Sequence, residues 1–145
     1  MIEPIHSKDS NTYWMYRNNP YTSPPEECVG FVYLIHNLAL NKLYVGKKLF
    51  WTVKKLPPLK GKKNKRHKRV QTDWRDYWGS NTQLQQDVQQ LGAHNFRREI
   101  IHLCANKNQM SYYETLEQFN REVLLHDNYY NGIINCRVTN RGLDK

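Results

Sequence analysis

The chain has 145 residues, 39% of them hydrophobic, with a mean hydropathy of −0.87, which is one domain by size and enough to bury a core. No apolar run approaches the length of a membrane span or signal peptide, and Cys28, Cys104 and Cys136 lie far apart outside any Cys-x-x-Cys pair, against a disulfide framework or zinc site. The formal net charge of +9 is concentrated: of 22 Lys and Arg, twelve fall between Cys28 and Thr72, where there is no Asp or Glu, leaving ten against 13 acidic residues elsewhere.

Residues 1–27 carry prolines (Pro20, Pro24 and Pro25 among them) and scattered aromatics (Tyr13, Trp14, Tyr16, Tyr21) without a sustained period, and are read as an irregular N-terminal arm whose aromatics pack on the domain. The domain proper is read over 28–145. Gly30-Phe31-Val32-Tyr33-Leu34-Ile35 and Leu43-Tyr44-Val45-Gly46-Lys47-Lys48 are rich in β-branched and aromatic residues and flank an interval with Asn near each end, which predicts a hairpin. Strand alternation puts Tyr33 on a face with Phe31 and Ile35, and Tyr44 on a face with Gly46 and Lys48. A glycine beside a tyrosine on a strand suggests a close approach to the backbone.

From Lys54 to Arg69 the chain is cationic and broken by Pro57-Pro58 and Gly61, which predicts a long basic loop after the second strand. Such a field suits a polyanion, and nucleic acid is the commonest one; against a duplex this loop would touch phosphates. The plain alternative is a solvated, disordered loop. Next, Ser80-Asn81-Thr82-Gln83 has a capping-box pattern before Leu84, Val88 and Leu91 at helical spacing, and Gly92 ends that helix. Asn95 to Cys104 reads as a strand that could join the hairpin as a third. A last helix is predicted from about Gln109–Ser111 to Leu125, with Tyr112, Leu116, Phe119 and Val123 as its apolar stripe. On it, Ser111-Tyr112-Tyr113-Glu114 fits a capping box, so Glu114 has a purely structural reading as well as a functional one. The elements together predict an α+β fold: a small three-stranded antiparallel sheet flanked by helices.

Phe31-Val32-Tyr33 and Tyr44-Val45-Gly46 resemble the two tripeptides that name the GIY-YIG nucleases, with Phe31 in place of the first glycine and Val45 in place of the second isoleucine. The later order of helix, strand, Glu114 and Tyr130-Asn131 follows the same family, and the stretches around Trp74 to Ser80 and Tyr112 to Gln118 resemble phage-encoded members related to homing endonucleases. The resemblance covers about residues 28–138. It implies a metal-dependent DNA endonuclease in the cytoplasm of a host cell, acting on DNA, in double-stranded form.

The roles implied are these. Tyr33 and Tyr44 would sit beside the scissile phosphate and help deprotonate the attacking water. Lys48 would lower a tyrosine pKa that is ordinarily near 10 and hold the phosphate. Glu114 would bind one Mg²⁺ or Mn²⁺, with Glu117 the competing candidate, and Asn131 would orient the site or the phosphate. The family's arginine falls at Lys54 by simple counting; counting back from Leu84 gives Arg66 or Arg69, with Arg75 a third candidate, and Arg69 is the position taken here. Lys47, Lys63, Arg66 and Arg75 are read as further substrate contacts. Two other functions remain open on the sequence: a non-catalytic nucleic-acid-binding protein that keeps the fold, and a small partner-binding protein. A single catalytic site cuts one strand, so nicking, double-strand cleavage and oligomeric state are all open.

Overall fold

The computed structural model describes residues 12–143. Along the chain come strands β1 (Trp14–Tyr16) and β2 (Asn19–Pro20), hairpin strands β3 (Gly30–Asn37) and β4 (Lys42–Leu49), a ribbon of β5 (Trp51–Leu56) and β6 (Arg66–Gln71), helix α1 (Thr82–Leu91), strand β7 (Phe96–Cys104) and helix α2 (Lys107–Asn120). The expected hairpin is the centre. β3 pairs antiparallel with β4 from Gly30↔Leu49 to Asn37↔Lys42, and antiparallel with β7 on its other side, with one register shift between Val32 and Tyr33.

Alternation along β3 feeds two core layers. Phe31, Tyr33 and Ile35 enter one with Trp14, Phe50, Trp74, Leu84 and Phe96, while Val32 enters the other with Val45, Met110 and Val123 beneath α2. Asn37 ends the strand: its Oδ1 accepts from the amides of Ala39 and Leu40, each at 3.0 Å, and its Nδ2 donates to the Tyr130 hydroxyl at 2.9 Å, so this fully buried amide is satisfied at both ends.

The expected three-stranded antiparallel sheet is corrected to a mixed five-stranded sheet in the order β2-β1-β7-β3-β4, with β1 parallel to β7. The two added strands come from the stretch read as an irregular arm. Their connecting turn uses Arg17 (φ 50°) and Asn18 (φ 66°), both left-handed and neither a glycine, so nothing at that point announces a hairpin. Trp14 anchors it, buried, with Nε1 donating to the Trp74 carbonyl at 2.6 Å. Residues 1–11, the rest of the expected arm apart from 12–27, lie outside the described residues.

The long basic loop is likewise corrected: most of it is the β5–β6 ribbon, paired from Trp51↔Gln71 to Leu56↔Arg66, and only 57–65 connect its strands. α1 forms where expected and stops at Gly92 (φ 87°), but its cap is Asn81, whose Oδ1 accepts from the Leu84 amide at 3.0 Å. α2 starts earlier than expected, capped by Asn106 through the Gln109 amide at 2.8 Å, so Ser111 lies inside the helix and caps nothing. Its expected apolar stripe is also out of phase: Tyr112, Leu116 and Phe119 are exposed, Met110, Thr115 and Gln118 are the buried residues of the helix, and of the stripe only Val123, past the helix end, enters the core. The reason is polar. Gln118 Nε2 donates to the Val45 carbonyl at 3.2 Å, a second bond to an oxygen that also accepts from Asn131 and one that no apolar side chain could make. Among the described residues the three cysteines are free, and no helix is long and apolar enough to cross a membrane.

Candidate active site

β4 is the edge strand of the main sheet, and edge strands leave backbone groups unpaired. Here a C-terminal segment covers part of that edge. The Leu43 amide donates to the Asn128 carbonyl at 2.8 Å and the Tyr130 amide to the Leu43 carbonyl at 2.7 Å. Beyond this point a side chain takes over from the backbone: Asn131 Oδ1 accepts from the Val45 amide at 3.0 Å and its Nδ2 donates to the Val45 carbonyl at 2.8 Å. The amide thus imitates a strand residue. A cleft of about 400 Å³ opens at the uncovered end of this edge, lined by Tyr44, Lys47, Ser80, Asn81, Glu114, Gln118, Asn131, Gly132, Ile133 and Asn135.

On one face of the sheet stand the two tyrosines. Tyr33 is buried, and a Cβ built on Gly46 would collide with its hydroxyl and lie 2.6 Å from its Cζ and 3.0 Å from Tyr44 Cε2, so the close approach suspected from sequence is made by the tyrosines themselves. Tyr44 is half-buried; its hydroxyl pairs with Ser80 Oγ at 3.1 Å. Ser80 is free to do so because Asn81 takes the helix cap. Tyr77 meets Tyr33 edge-on, with ring centroids 6.0 Å apart.

Burial dominates the acidities here. It drives the Tyr33 hydroxyl well above 10, with Tyr77 and Tyr44 adding to the effect, and it raises Tyr44 despite the opposing Ser80 hydrogen bond. The expectation that Lys48 depresses a tyrosine is therefore corrected. Lys48 Nζ lies 2.7 Å from Asp73 Oδ1 and 4.1 Å from the centre of the Tyr77 ring, so its charge is matched locally, and that hydrogen bond holds the Asp73 carboxyl below its usual value.

On the opposite face, Lys47 and α2 supply the charges. Lys47 Nζ donates to Ser111 Oγ at 2.9 Å and lies 3.8 Å from Glu114 Oε1. Burial raises the Glu114 carboxyl above its ordinary range while Lys47 opposes the shift. Glu117, the competing acid, points elsewhere. Burial would raise it too, but hydrogen bonds from His102 at 2.8 Å and Arg121 at 3.0 Å leave it lowered, with both oxygens engaged. A role for Glu114 as the cap of its own helix is excluded by the earlier helix start.

The fold thus brings Tyr44, Lys47, Glu114 and Asn131 to one cleft, with Tyr33 behind Gly46 and Lys48 round the corner by Tyr77. It does not bring the arginines there. Arg69 stacks on Trp51 at 4.2 Å and donates to the Glu26 carbonyl at 3.0 Å; Arg66 donates to the Pro57 carbonyl at 3.2 Å; Arg75 donates to the Thr22 carbonyl at 2.8 Å and to Gln71 Oε1 at 2.6 Å. Lys63 lies in the connection at the ribbon's far end. Ser80, Ser111 and Asn135 escape sequence reasoning; the first two are hidden in capping patterns that belong to Asn81 and Asn106.

The cleft's donors are one carboxylate, hydroxyls and amide oxygens, with no histidine or cysteine lining it, and among the described residues no three His, Cys, Asp or Glu side chains gather as a metal cluster. Such an oxygen set fits a hard divalent cation that keeps several waters, and does not fit zinc. A cleft with one lysine, one carboxylate, one tyrosine hydroxyl and one serine hydroxyl at the open edge of a mixed sheet is of the class suited to a phosphate ester. A family model described as "Putative endonuclease segE, GIY-YIG domain" matches residues 14–134, and the chain belongs to this family of the GIY-YIG nuclease superfamily. No curated protein and no solved structure matches the chain significantly.

Proposed function

We propose that the chain is a DNA endonuclease that hydrolyses phosphodiester bonds in the β4-edge cleft. The observation that carries this reading is the convergence of Tyr44 from one face of the sheet and Lys47 with Glu114 from the other on a single opening. Lys47 would hold a non-bridging phosphate oxygen, since its ammonium is the cation nearest the cleft carboxylate. Tyr44, steadied by Ser80, would orient the attacking water and receive its proton, acting from the small fraction present as phenolate. Tyr33, shielded behind Gly46, would fix the position of Tyr44 and keep bulk water from that side. Asn131 acts through Val45 rather than on the phosphate, holding the edge strand in place. Glu114 would hold a single Mg²⁺ or Mn²⁺, which when bound stabilises charge on the leaving oxygen.

The test is cleavage of supercoiled plasmid with Mg²⁺ or Mn²⁺ at low salt. Glu114→Gln should lose about two to three orders of magnitude, as removal of a principal stabiliser of transition-state charge does, whereas Glu117→Gln should keep cutting. Loss in Glu117→Gln alone would move the ligand to that residue. A second reading, a protein that binds nucleic acid without cutting it, draws on one observation: none of Arg66, Arg69 and Arg75 lines the cleft. An intact protein that binds plasmid and leaves it uncut with either ion would establish that reading instead.

A further inference from the structure

The β5–β6 ribbon takes no part in the cleft, yet with its connecting segment it carries nine of the chain's 22 Lys and Arg and no Asp or Glu. Residues 52–55 and 57–69 are all exposed, so the ribbon has no core of its own. Two strands alone are marginal in water. The pairing makes matters worse: Lys54 stands directly opposite Lys68 and Lys55 opposite His67, and with no acidic residue between Cys28 and Thr72 no nearby side chain of the segment offsets them. Like charges directly opposite each other destabilise a sheet. The ribbon is nonetheless rooted firmly. The Thr72 amide and hydroxyl donate to the Phe50 and Leu49 carbonyls at 2.9 and 2.6 Å, and Arg69 clamps Trp51 to the Glu26 carbonyl.

We propose that this ribbon is a DNA-groove element that enters the major groove of B-form duplex. Three features select that partner. First, both faces are cationic. The register puts Lys54, Lys68 and Arg66 on one face and Lys55, His67 and Arg69 on the other. A ribbon lying on a flat acidic surface needs charge on one face; a ribbon between two phosphate walls uses both. Second, size fits: six residues per strand span about 20 Å, and the B-form major groove, about 12 Å wide, admits a two-stranded ribbon. The A-form groove of RNA is too narrow and deep for one. Third, the ribbon continues the cleft strand, since only Phe50 separates β4 from β5, so a groove-bound ribbon holds the adjoining backbone beside Lys47. Nucleic acid as the polyanion rests on the nuclease reading; the groove and the ribbon do not.

The test uses the full chain without divalent cation, so that nothing is cut, and compares it with the triple variant Lys54→Thr, Lys68→Thr, Arg66→Gln, in which threonine preserves strand propensity. Affinity for one 25-base-pair sequence is measured as DNA duplex, RNA duplex and single strand between 50 and 200 mM salt. The parent should favour DNA duplex over RNA duplex at least tenfold. Loss of three phosphate contacts should reduce the slope of log affinity against log salt by about 2.7. Bound parent should protect guanine N7 atoms from dimethyl sulfate, a major-groove probe, and the variant should not; circular dichroism confirms that the variant is folded. Equal affinity for the two duplexes, an unchanged salt slope in the folded variant, or unprotected N7 atoms would each overturn the proposal. A parent that cuts plasmid but shows these negatives loses the ribbon and keeps the nuclease; one that shows the full groove signature but never cuts keeps the ribbon and loses the nuclease.

Discussion

Gly46→Ala tests the geometry on which the cleft rests. The added methyl would overlap the Tyr33 hydroxyl and sit 2.6 Å from its Cζ and 3.0 Å from Tyr44 Cε2. Relief by rotation is blocked, because the Tyr33 ring is fully enclosed, with Trp14 centred 5.2 Å away, Phe31 5.9 Å and Tyr77 6.0 Å. Forcing a methyl into a packed site costs about 1–3 kcal/mol. With a urea m-value of about 2 kcal/mol per molar, the midpoint should fall by about 0.5–1.5 M at unchanged m. A double-mutant cycle with Tyr33→Phe isolates the cause: removing the hydroxyl relieves the worst overlap but leaves Cζ too close, so about half the loss should return as coupling. Additive effects of the two substitutions, or a neutral Gly46→Ala, would refute the packing argument and with it the idea that Tyr33 positions Tyr44.

Two further outcomes follow from the same geometry. Asn131→Ala leaves the Val45 amide without its side-chain partner, while the Val45 carbonyl keeps only Gln118, which should cost about 1–3 kcal/mol and speed hydrogen exchange at the Val45 amide; an unchanged exchange rate would show that water replaces the clamp without loss. Because burial raises the Tyr44 pKa above 10, its phenolate grows with pH across the whole neutral range, so log rate should climb about one unit per pH unit from 7 to 9 without a plateau, and Tyr44→Phe should flatten that limb.

What could be read from the sequence depended on whether a side chain's role was local. The Tyr33 and Tyr44 strands were legible because β-branched and aromatic runs have one strong preference, and the third strand followed from the same signal at Phe96 to Cys104. The phase of α2 was not, because Gln118 is buried where it hydrogen-bonds the Val45 carbonyl, while Phe119 is left 60% exposed. Hydrophobicity alone points the wrong way there. β1 and β2 were hidden by a left-handed Arg17-Asn18 turn, and the ribbon by prolines and like charges that argue against pairing until the register is known. The cleft acid was legible only through resemblance. What separates Glu114 from Glu117 is only partly local: Arg121, four residues on from Glu117, engages one of its oxygens, while the tertiary contact from His102 on β7 engages the other, and Glu114 is left facing the opening.

With no arginine lining the cleft, the proposed mechanism turns on Lys47, and two roles for it can be told apart. If Lys47 only holds phosphate, Lys47→Gln should lower activity by the same factor at every pH. The structure gives it a second role, because its ammonium is the group that opposes the upward shift of the Glu114 carboxyl. The sign is fixed. Burial already raises that carboxyl, so removing the lysine raises it further, and the ionised form that a cation needs then disappears at a higher pH. Lys47→Gln should therefore be more damaging at pH 5.5 than at pH 8, with the acid limb of its pH–rate profile displaced toward neutrality, and Mn²⁺ affinity measured by titration should show the same displacement without reference to turnover. Lys47→Arg keeps the charge and should restore the acid limb even where its fork fits the phosphate poorly. An activity ratio between parent and Lys47→Gln that stays constant from pH 5.5 to 8 would confine Lys47 to the phosphate and leave the Glu114 carboxylate to be stabilised by the cation it binds.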